Sequence, residues 1–346
     1  MFFNRSACEW RVNVEKVRKK KLLRGIAAMA CCLSLVLTAC GEGEAVEETT
    51  SRSEGAAAVN NGTLSEDSVA LSIGKTTVPY KEYKVYYYFM ESQYASMLTE
   101  DIWNYTGALE GGKSIGQEAV ENVLRLIIQV KVISKAAAVQ GVTLAADEKE
   151  EADYNARQFC EGLSDEVKQA NGITQPLVAQ IFEENKLAEK MYLVITGQVD
   201  VNVTAEQARA ARVQLIWLKT EGQDKAVVKQ KADALCQQAN SGVGSFYKLA
   251  RENTQASEIE SLVGQMDTRK NLAAAVLGLK KYQVSGVIEE ADGYYIAYCV
   301  NPSGKKVNEE YKNQVISERQ TNQFQSAYKE WSGQYEVKVS KSLLAE

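Results

Sequence analysis

The spacing of apolar positions changes along the chain and predicts strands first, then helices. Apolar and polar residues alternate in 69–73 and again in 76–78, and Gly74 stands in the turn between them, so this segment is expected to form a short β-hairpin. From Pro79 onward, apolar and aromatic residues recur every three or four positions up to Tyr94. This spacing predicts a helix with proline in its first turn.

Three further helices are expected before residue 200. The first runs from Ser114 to Gln140 with one continuous apolar stripe, and Gly141 follows it as a stop signal. A strongly charged helix follows from Ala145 to Glu161. After a short connection, Thr174 is expected to cap a helix that ends near Val194. The charged residues of the second helix alternate in sign, which is typical of a solvated helix face.

The pattern changes after a β-like linker at 199–204. Strands and helices now alternate within about 100 residues. The predicted elements are a strand at 212–219, helices at 225–240, 245–252 and 271–279, and a strand at 294–300. After Gly304 the chain returns to a helix at 308–331 and a strand-like segment at 335–339, so its end is similar to its beginning.

These patterns predict an α+β protein with a discontinuous helical domain. Residues 68–204 and 304–346 are expected to form a mainly helical domain from both ends of the chain. Residues 205–303 are expected to form an α+β domain inserted between them.

The first 39 residues have the features of an export signal. A basic region ends at Arg24, and an apolar run from Gly25 to Leu37 follows, which is too short to span a bilayer. Leu37-Thr38-Ala39-Cys40 resembles the lipobox of bacterial lipoproteins, and the resemblance implies cleavage before Cys40 and a diacylglycerol on its thiol. Residues 40–67 are rich in small and polar residues and are expected to be a flexible linker. The sequence therefore predicts an extracytoplasmic protein anchored to the cell membrane by lipid.

Charge and residue content exclude several functions. The signal segment holds eight Lys or Arg residues against Glu9 and Glu15, so its removal changes the net charge from −5 to about −11. An acidic protein lacks the basic surface that nucleic acid requires. The chain has no histidine, which excludes Ser-His-Asp and Cys-His catalysis and histidine metal sites. No metal or organic cofactor is expected, and Cys160, Cys236 and Cys299 are interpreted as small apolar side chains.

Short motifs in the middle domain resemble one known family. Arg212 to Lys219 is similar to the first strand of parvulin-type peptidyl-prolyl isomerases, Phe246-Tyr247-Lys248-Leu249-Ala250 to their F-x-x-L-A helix, and Gly293-Tyr294-Tyr295-Ile296 to their closing strand. Together with the hairpin and the aromatic helix, this order resembles the SurA/PrsA family of extracytoplasmic foldases. The resemblance implies a SurA-like helical chaperone domain with an inserted parvulin-like, FKBP-like domain, and clients that are unfolded or newly exported polypeptides.

The chain departs from that family where catalysis takes place. The resemblance places histidines in the first and last strands of active members, and here these positions hold Leu215 and Tyr295. The remnant of the proline pocket is expected to be lined by Met266, Leu272 and Leu277, with Tyr295 at its floor. Ordinary core packing of a small α+β domain explains the same four residues. No catalytic residue is assigned.

Three functions remain open from the sequence. The first is a lipid-anchored chaperone whose isomerase activity is weak or lost. The second is an active parvulin-type isomerase with an atypical site. The third is an envelope assembly scaffold that binds one dedicated partner.

Overall fold

The computed structural model describes residues 64–94, 114–242 and 244–344. The predicted signal peptide, Cys40 and most of the predicted linker lie outside these residues. The chain divides into two compact units. The helical unit comprises the described residues up to Gln198 and those from Thr321 onward, and the α+β unit comprises Val199–Gln320.

The described elements follow one another along the chain as strands β1 to β7 and helices α1 to α10. In chain order they are β1 (Val69–Ile73), β2 (Thr76–Pro79), α1 (Tyr80–Tyr94), α2 (Ile115–Gln140), α3 (Ala146–Gly162), α4 (Asp165–Ala170), α5 (Gln175–Thr196), β3 (Ala210–Lys219), α6 (Lys225–Asn240), α7 (Phe246–Asn253), β4 (Glu260–Gly264), α8 (Lys270–Leu277), β5 (Ile288–Glu290), β6 (Gly293–Asn301), α9 (Lys305–Ser332), β7 (Val337–Val339) and α10 (Lys341–Leu344). The α+β fold class is confirmed.

The helical unit contains a small sheet made from both ends of the described chain. Its strand order is β2-β1-β7, and both pairings are antiparallel. In β1, Leu71 and Ile73 are almost fully buried, as the alternation predicts. Leu71 lies opposite Val339 of β7, so a strand near the end of the chain completes the sheet that the hairpin begins.

Helix boundaries in this unit follow local capping signals. Ser114 accepts a hydrogen bond from the Gln117 backbone N–H, and the Gln117 side chain accepts one from the Ser114 N–H, which together form a capping box at the start of α2. Gly141 ends the same helix in the left-handed conformation, with φ of 69°. Thr174 caps α5, and proline stands in its first turn. The predicted 163–172 connection contains the short helix α4.

The aromatic helix packs mainly into the core of its own unit. Tyr83, Tyr86 and Phe89 of α1 are buried. The Phe89 ring lies 4.5 Å from the ring of Phe159 in α3 and 5.7 Å from that of Phe182 in α5, measured between centroids. This cluster joins three helices, so core packing accounts for the buried members of the aromatic stripe.

The folded part begins before the predicted end of the linker. The Glu66 backbone carbonyl accepts a hydrogen bond from the Lys81 N–H, and the Asp67 carboxylate forms an ion pair with the Lys81 ammonium at 2.8 Å. The first backbone N–H groups of a helix have no partner within the helix. Residues 66 and 67 therefore hold the start of α1 and are not part of a free spacer.

One buried lysine joins three helices of this unit. Lys131 of α2 lies 2.7 Å from a carboxylate oxygen of Glu82 in α1 and 2.7 Å from one of Glu184 in α5. The side chains of Lys131 and Glu82 are 8% and 3% exposed, which places both charges out of water. Burial raises the pKa of Glu82, although the Lys131 ammonium opposes this change. One ammonium is thus shared by two carboxylates and offsets at most one of their two negative charges.

The α+β unit is built on a four-stranded antiparallel sheet of order β4-β3-β6-β5. Helix α8 packs on one face, and α6 and α7 pack on the other. Strands β4 and β5 were not predicted. The segment 199–204, predicted to be β-like, contains no strand. Its alternating Val residues have no neighbouring strand, and Val201 is exposed.

The α+β unit extends beyond the predicted 205–303 at both ends. Val307, Tyr311 and Val315 of α9 pack against Ala210 at the start of β3. The Asn308 side chain also accepts a hydrogen bond from the Ala210 N–H at 3.2 Å. The first half of α9 therefore belongs to this unit. The helix continues past Gln320 into residues of the helical unit.

We predict that Lys131→Met lowers the unfolding free energy by about 3–5 kcal/mol, because it leaves the buried carboxylate of Glu82 and the half-buried carboxylate of Glu184 without a counter-charge. Chemical denaturation measures the loss. Lys168→Met is the matched control, since Lys168 pairs with the 94%-exposed Asp165 side chain and such surface pairs contribute about 0–1 kcal/mol. Equal losses in the two variants would contradict a buried triad.

The same variant should regain stability as the pH falls from neutral toward 4.5, the ordinary pKa of a glutamate. Without Lys131, nothing opposes the burial that raises the pKa of Glu82, so the folded state binds a proton at a higher pH than the unfolded state does. A group with a raised folded-state pKa favours folding at low pH. Denaturation curves of Lys131→Met at several pH values test this, and a flat or falling stability would contradict it.

Candidate functional site

The two strands of the predicted site are neighbours in the sheet. Strand β3 pairs with β6 in antiparallel register, with Leu215 opposite Ala297 and Trp217 opposite Tyr295. Side chains alternate between the two faces of a sheet, so Leu215, Trp217 and Tyr295 lie on the same face. That face is the one covered by α8.

The structure brings together three of the five positions at which the resemblance places the site. Leu215, Leu272 and Tyr295 belong to one apolar cluster and are 3%, 0% and 2% exposed. Met266 is 38% exposed, and the partly buried Leu277 lies outside that cluster. The two histidine positions of the resemblance are thus occupied by side chains that fill the core. The interpretation as core packing therefore describes Leu215, Leu272 and Tyr295.

The hydroxyl of Tyr295 is held by Asp292, a residue of the turn between β5 and β6. Its hydroxyl donates a hydrogen bond to Oδ2 of Asp292 at 2.6 Å. Its ring stacks beside Trp217 at 5.9 Å, and the Arg269 guanidinium lies 5.5 Å from the ring centroid. Burial, followed by the bond to Asp292, raises the pKa of Tyr295, so the phenol stays protonated and held.

Arg269 is itself held in place. Its guanidinium donates two hydrogen bonds to the Asp267 carboxylate, at 3.0 and 2.8 Å. This fork-to-fork geometry is the strongest form of such a pair. The bond to Asp267 raises the pKa of Arg269, so its charge is permanent. The Arg269 guanidinium is therefore paired with Asp267. It also covers one face of the Tyr295 ring.

Glycine is required at the start of β6. Gly293 has φ of 152°, and a Cβ there would lie 2.2 Å from the carbonyl oxygen of Leu218. No other residue fits this close approach between strands. That Cβ would also lie 3.0 Å from Nε1 of Trp217, a buried indole nitrogen with no hydrogen-bond partner among the described residues. Asp292 and Tyr295 therefore keep their positions relative to Trp217.

An open cavity lies beside this buried group. Its volume is about 390 Å³, and it is lined by Trp217, Lys219, Thr220, Glu221, Ala291 and Asp292. Sequence reasoning missed this cavity, because its residues come from the end of β3 and from the turn before β6, which meet only through the β3–β6 pairing. The available signal was the exposed polar run that follows the first predicted strand segment and the exposed pair Ala291-Asp292 just before the second.

Other chemistry finds little support in the described residues. Burial raises the pKa of the Cys160, Cys236 and Cys299 thiols, which keeps them protonated and poorly nucleophilic. Within residues 64–94, 114–242 and 244–344, no three Cys, Asp or Glu side chains are grouped to hold a metal ion. Over the same ranges, no helix has the length and apolar character needed to cross a bilayer.

Comparison with known proteins identifies the domain. Residues 215–301 match the family model described as Rotamase, PPIC-type PPIASE domain, which confirms the parvulin-type domain predicted from the sequence. No curated protein matches the chain.

The chain is also similar to solved foldase structures. PrsA peptidylprolyl isomerase from Bacillus anthracis is 17% identical, with 61% of this chain and 94% of that chain covered and a TM-score of 0.34. Foldase protein PrsA from Streptococcus pneumoniae is 20% identical, with 66% and 84% covered and a TM-score of 0.30. A SurA-like chaperone of Campylobacter jejuni is 11% identical, with 79% and 99% covered and a TM-score of 0.31. These are the foldases and chaperones that the sequence resembles.

We predict that Leu215→His destabilises the protein by about 2–4 kcal/mol, because an imidazole enters a dry apolar cluster without a partner. Leu215→Met is the control at the same position, with an expected cost below about 1.5 kcal/mol. Urea denaturation of both variants measures the difference. If Leu215→His were as stable as wild type, the position would be open to water and the filled-core interpretation would be wrong.

Proposed function

We propose that this protein is a membrane-anchored, extracytoplasmic chaperone or foldase that binds unfolded, newly exported polypeptides, with little or no prolyl isomerase activity. The observation that carries the proposal is the burial of Leu215 and Tyr295 at the two positions where the resemblance places catalytic histidines. The match to a PPIC-type domain supports polypeptide clients.

Prolyl isomerisation depends on binding a twisted amide better than a planar one. The barrier is about 20 kcal/mol, and an enzyme lowers it only through interactions that are stronger in the twisted state. Preorganised polar groups usually provide such interactions, and the loss of one costs roughly 10²–10³-fold in rate. Here one position holds an apolar side chain, and the other holds a phenol already bonded to Asp292. Neither group is available to a bound peptide bond.

A protein can bind a client with fewer specific groups than it needs to catalyse prolyl isomerisation. A chaperone needs only surfaces that retain an unfolded chain for a time, and large exposed apolar side chains contribute to this. The helical unit exposes such side chains on several elements. They are Val69, Val139, Tyr154, Leu193, Val194 and Val337.

The export signal supports a location of this protein at the membrane, where newly exported polypeptides emerge. The sequence from Arg24 to Cys40 is typical of a lipoprotein signal, and two acyl chains on Cys40 would give a stable anchor. A linker of about 25 residues, which ends before residues 66 and 67, would then allow a root-mean-square reach of roughly 25–30 Å from the membrane. The proposed anchor raises the local concentration of chaperone where clients emerge.

We predict that the purified mature protein suppresses aggregation of an unfolded client but leaves proline isomerisation near the uncatalysed rate. A protease-coupled isomerisation assay and light scattering on the same preparation test this. Tyr295→Phe and Met266→Ala provide the comparison, because they remove one hydroxyl or one exposed side chain. Catalysis well above background that both variants reduce would show an active isomerase instead. Recovery of one partner in fixed ratio from envelope extracts would favour a scaffold.

We predict that Cys40→Ala, secreted without lipid, complements loss of the gene less well than the anchored form does. The physical reason is dilution, since the free protein is no longer held near the membrane. The measurement is the yield of folded exported proteins at equal chaperone abundance. Complementation as good as that by wild type would mean that the anchor only determines location.

A further inference from the structure

The cavity beside Trp217 has a lining suited to a cationic side chain. Glu221 and Asp292 contribute carboxylates, Trp217 contributes an aromatic wall, and Lys219 is the only cation among the six lining residues. Its volume of about 390 Å³ is near the lower end of ligand pockets, which span about 300–1,000 Å³. The space fits one or two side chains of a polypeptide.

The ammonium of Lys219 already lies over the indole ring of Trp217. The Lys219 ammonium lies 5.0 Å from the Trp217 ring centroid, within the range of a cation–π contact. Indole is the best aromatic partner for a cation, because its face carries the most negative potential. Among the described residues, neither Lys219 nor Glu221 forms an ion pair. The contact with the indole is therefore the specific interaction that the Lys219 charge makes.

The carboxylates of Asp292 and Glu221, which line the cavity beside the indole, can accept further hydrogen bonds. Asp292 uses Oδ2 to accept the Tyr295 hydroxyl and keeps Oδ1 without a hydrogen bond from the described residues. Glu221 is exposed, and the Glu221 carboxylate makes no hydrogen bond to a described side chain. A guanidinium stacked on Trp217 would have donors for both carboxylates, because its five N–H groups form a planar fork.

We propose that this cavity binds an arginine or lysine side chain of a polypeptide client, and that Lys219 occupies the indole when no client is bound. The proposal rests on the proposed function, since it takes polypeptides as the ligands. It assigns a charge preference to the PPIC-type domain: basic residues are favoured, and acidic ones are disfavoured by Glu221 and Asp292. Client binding then displaces Lys219 from the ring.

The test uses three blocked peptides that differ only in a central residue, which is arginine, norleucine or glutamate. Titration calorimetry with the full mature chain carrying Cys40→Ala measures each affinity at physiological salt. We expect arginine to bind about two- to fivefold more tightly than norleucine, as a partly exposed cation–π contact implies. Glutamate should bind most weakly. Equal affinities, or tighter binding of glutamate, would overturn the proposal.

Three variants of exposed residues separate the site from general charge effects. Glu221→Gln should weaken binding of the arginine peptide about two- to fivefold, whereas Glu309→Gln, with the same charge change near the far end of β3, should leave it unchanged. Lys219→Met should tighten arginine binding, because it removes the internal competitor. Weakening by Lys219→Met, or equal effects of the two glutamate variants, would overturn the proposal.

Aggregation assays on the same preparations separate this inference from the proposed function. If wild type suppresses aggregation but shows no arginine preference, the cavity assignment fails and the chaperone proposal stands. If aggregation is not suppressed and no peptide binds, both fail. An arginine preference without aggregation suppression would keep the cavity assignment and remove the chaperone proposal.

Discussion

The register between β3 and β6 is the constraint on which the candidate site depends. It places Trp217 opposite Tyr295 and sets Leu215 on the same face, and a slip of β3 by one residue would turn Leu215 and Trp217 to the side of the sheet away from Tyr295. The close approach of Gly293 to Leu218 holds that register at the strand end. The buried cluster, the aromatic pair and the cavity wall therefore come from one pairing.

The helical unit depends on a different interaction, between charges out of water. Lys131 reaches Glu82 and Glu184, which stand on two other helices. A buried ion triad of this kind adds little net stability compared with apolar residues, because desolvation offsets the attraction. Its effect is on specificity, since few other packings of α1, α2 and α5 satisfy all three charges. The antiparallel contact of β1 with β7 adds the closing segment to the same unit.

Local signals explain which parts of the fold the sequence predicts. Helix α2 was predicted within one residue, because Ser114 caps it and Gly141 ends it. Strand β4 was not predicted, because only Val263 and Gly264 of its five residues are buried, so its pattern is weak. The extent of the α+β unit was also missed, since the packing of α9 on Ala210 is a contact between residues about 100 positions apart.

The candidate site was also predicted only in part, because local patterns indicate some of its residues and not others. Leu215, Leu272 and Tyr295 lie on periodic elements with recognisable motifs, and the structure places them together. Met266 lies in a turn after β4, where no periodicity determines direction, and it is exposed. Trp217, Lys219 and Asp292 form one surface only after two distant strands pair. Their common cavity depends on tertiary structure and is not visible in any local pattern.

The proposed function, client binding with little or no isomerase activity, rests on a filled core that lies beside an open cavity. Catalysis requires groups that act on the amide as it twists, and such groups must be free and preorganised. Leu215 and Tyr295 are neither, since one is apolar and the other is bonded to Asp292. Ground-state binding has no such requirement, because side chains next to the amide provide it. The Trp217 cavity lies at the same end of β3 and β6 as Tyr295. In the proposed function, the client chain binds at this cavity while Leu215 and Tyr295 remain in the core.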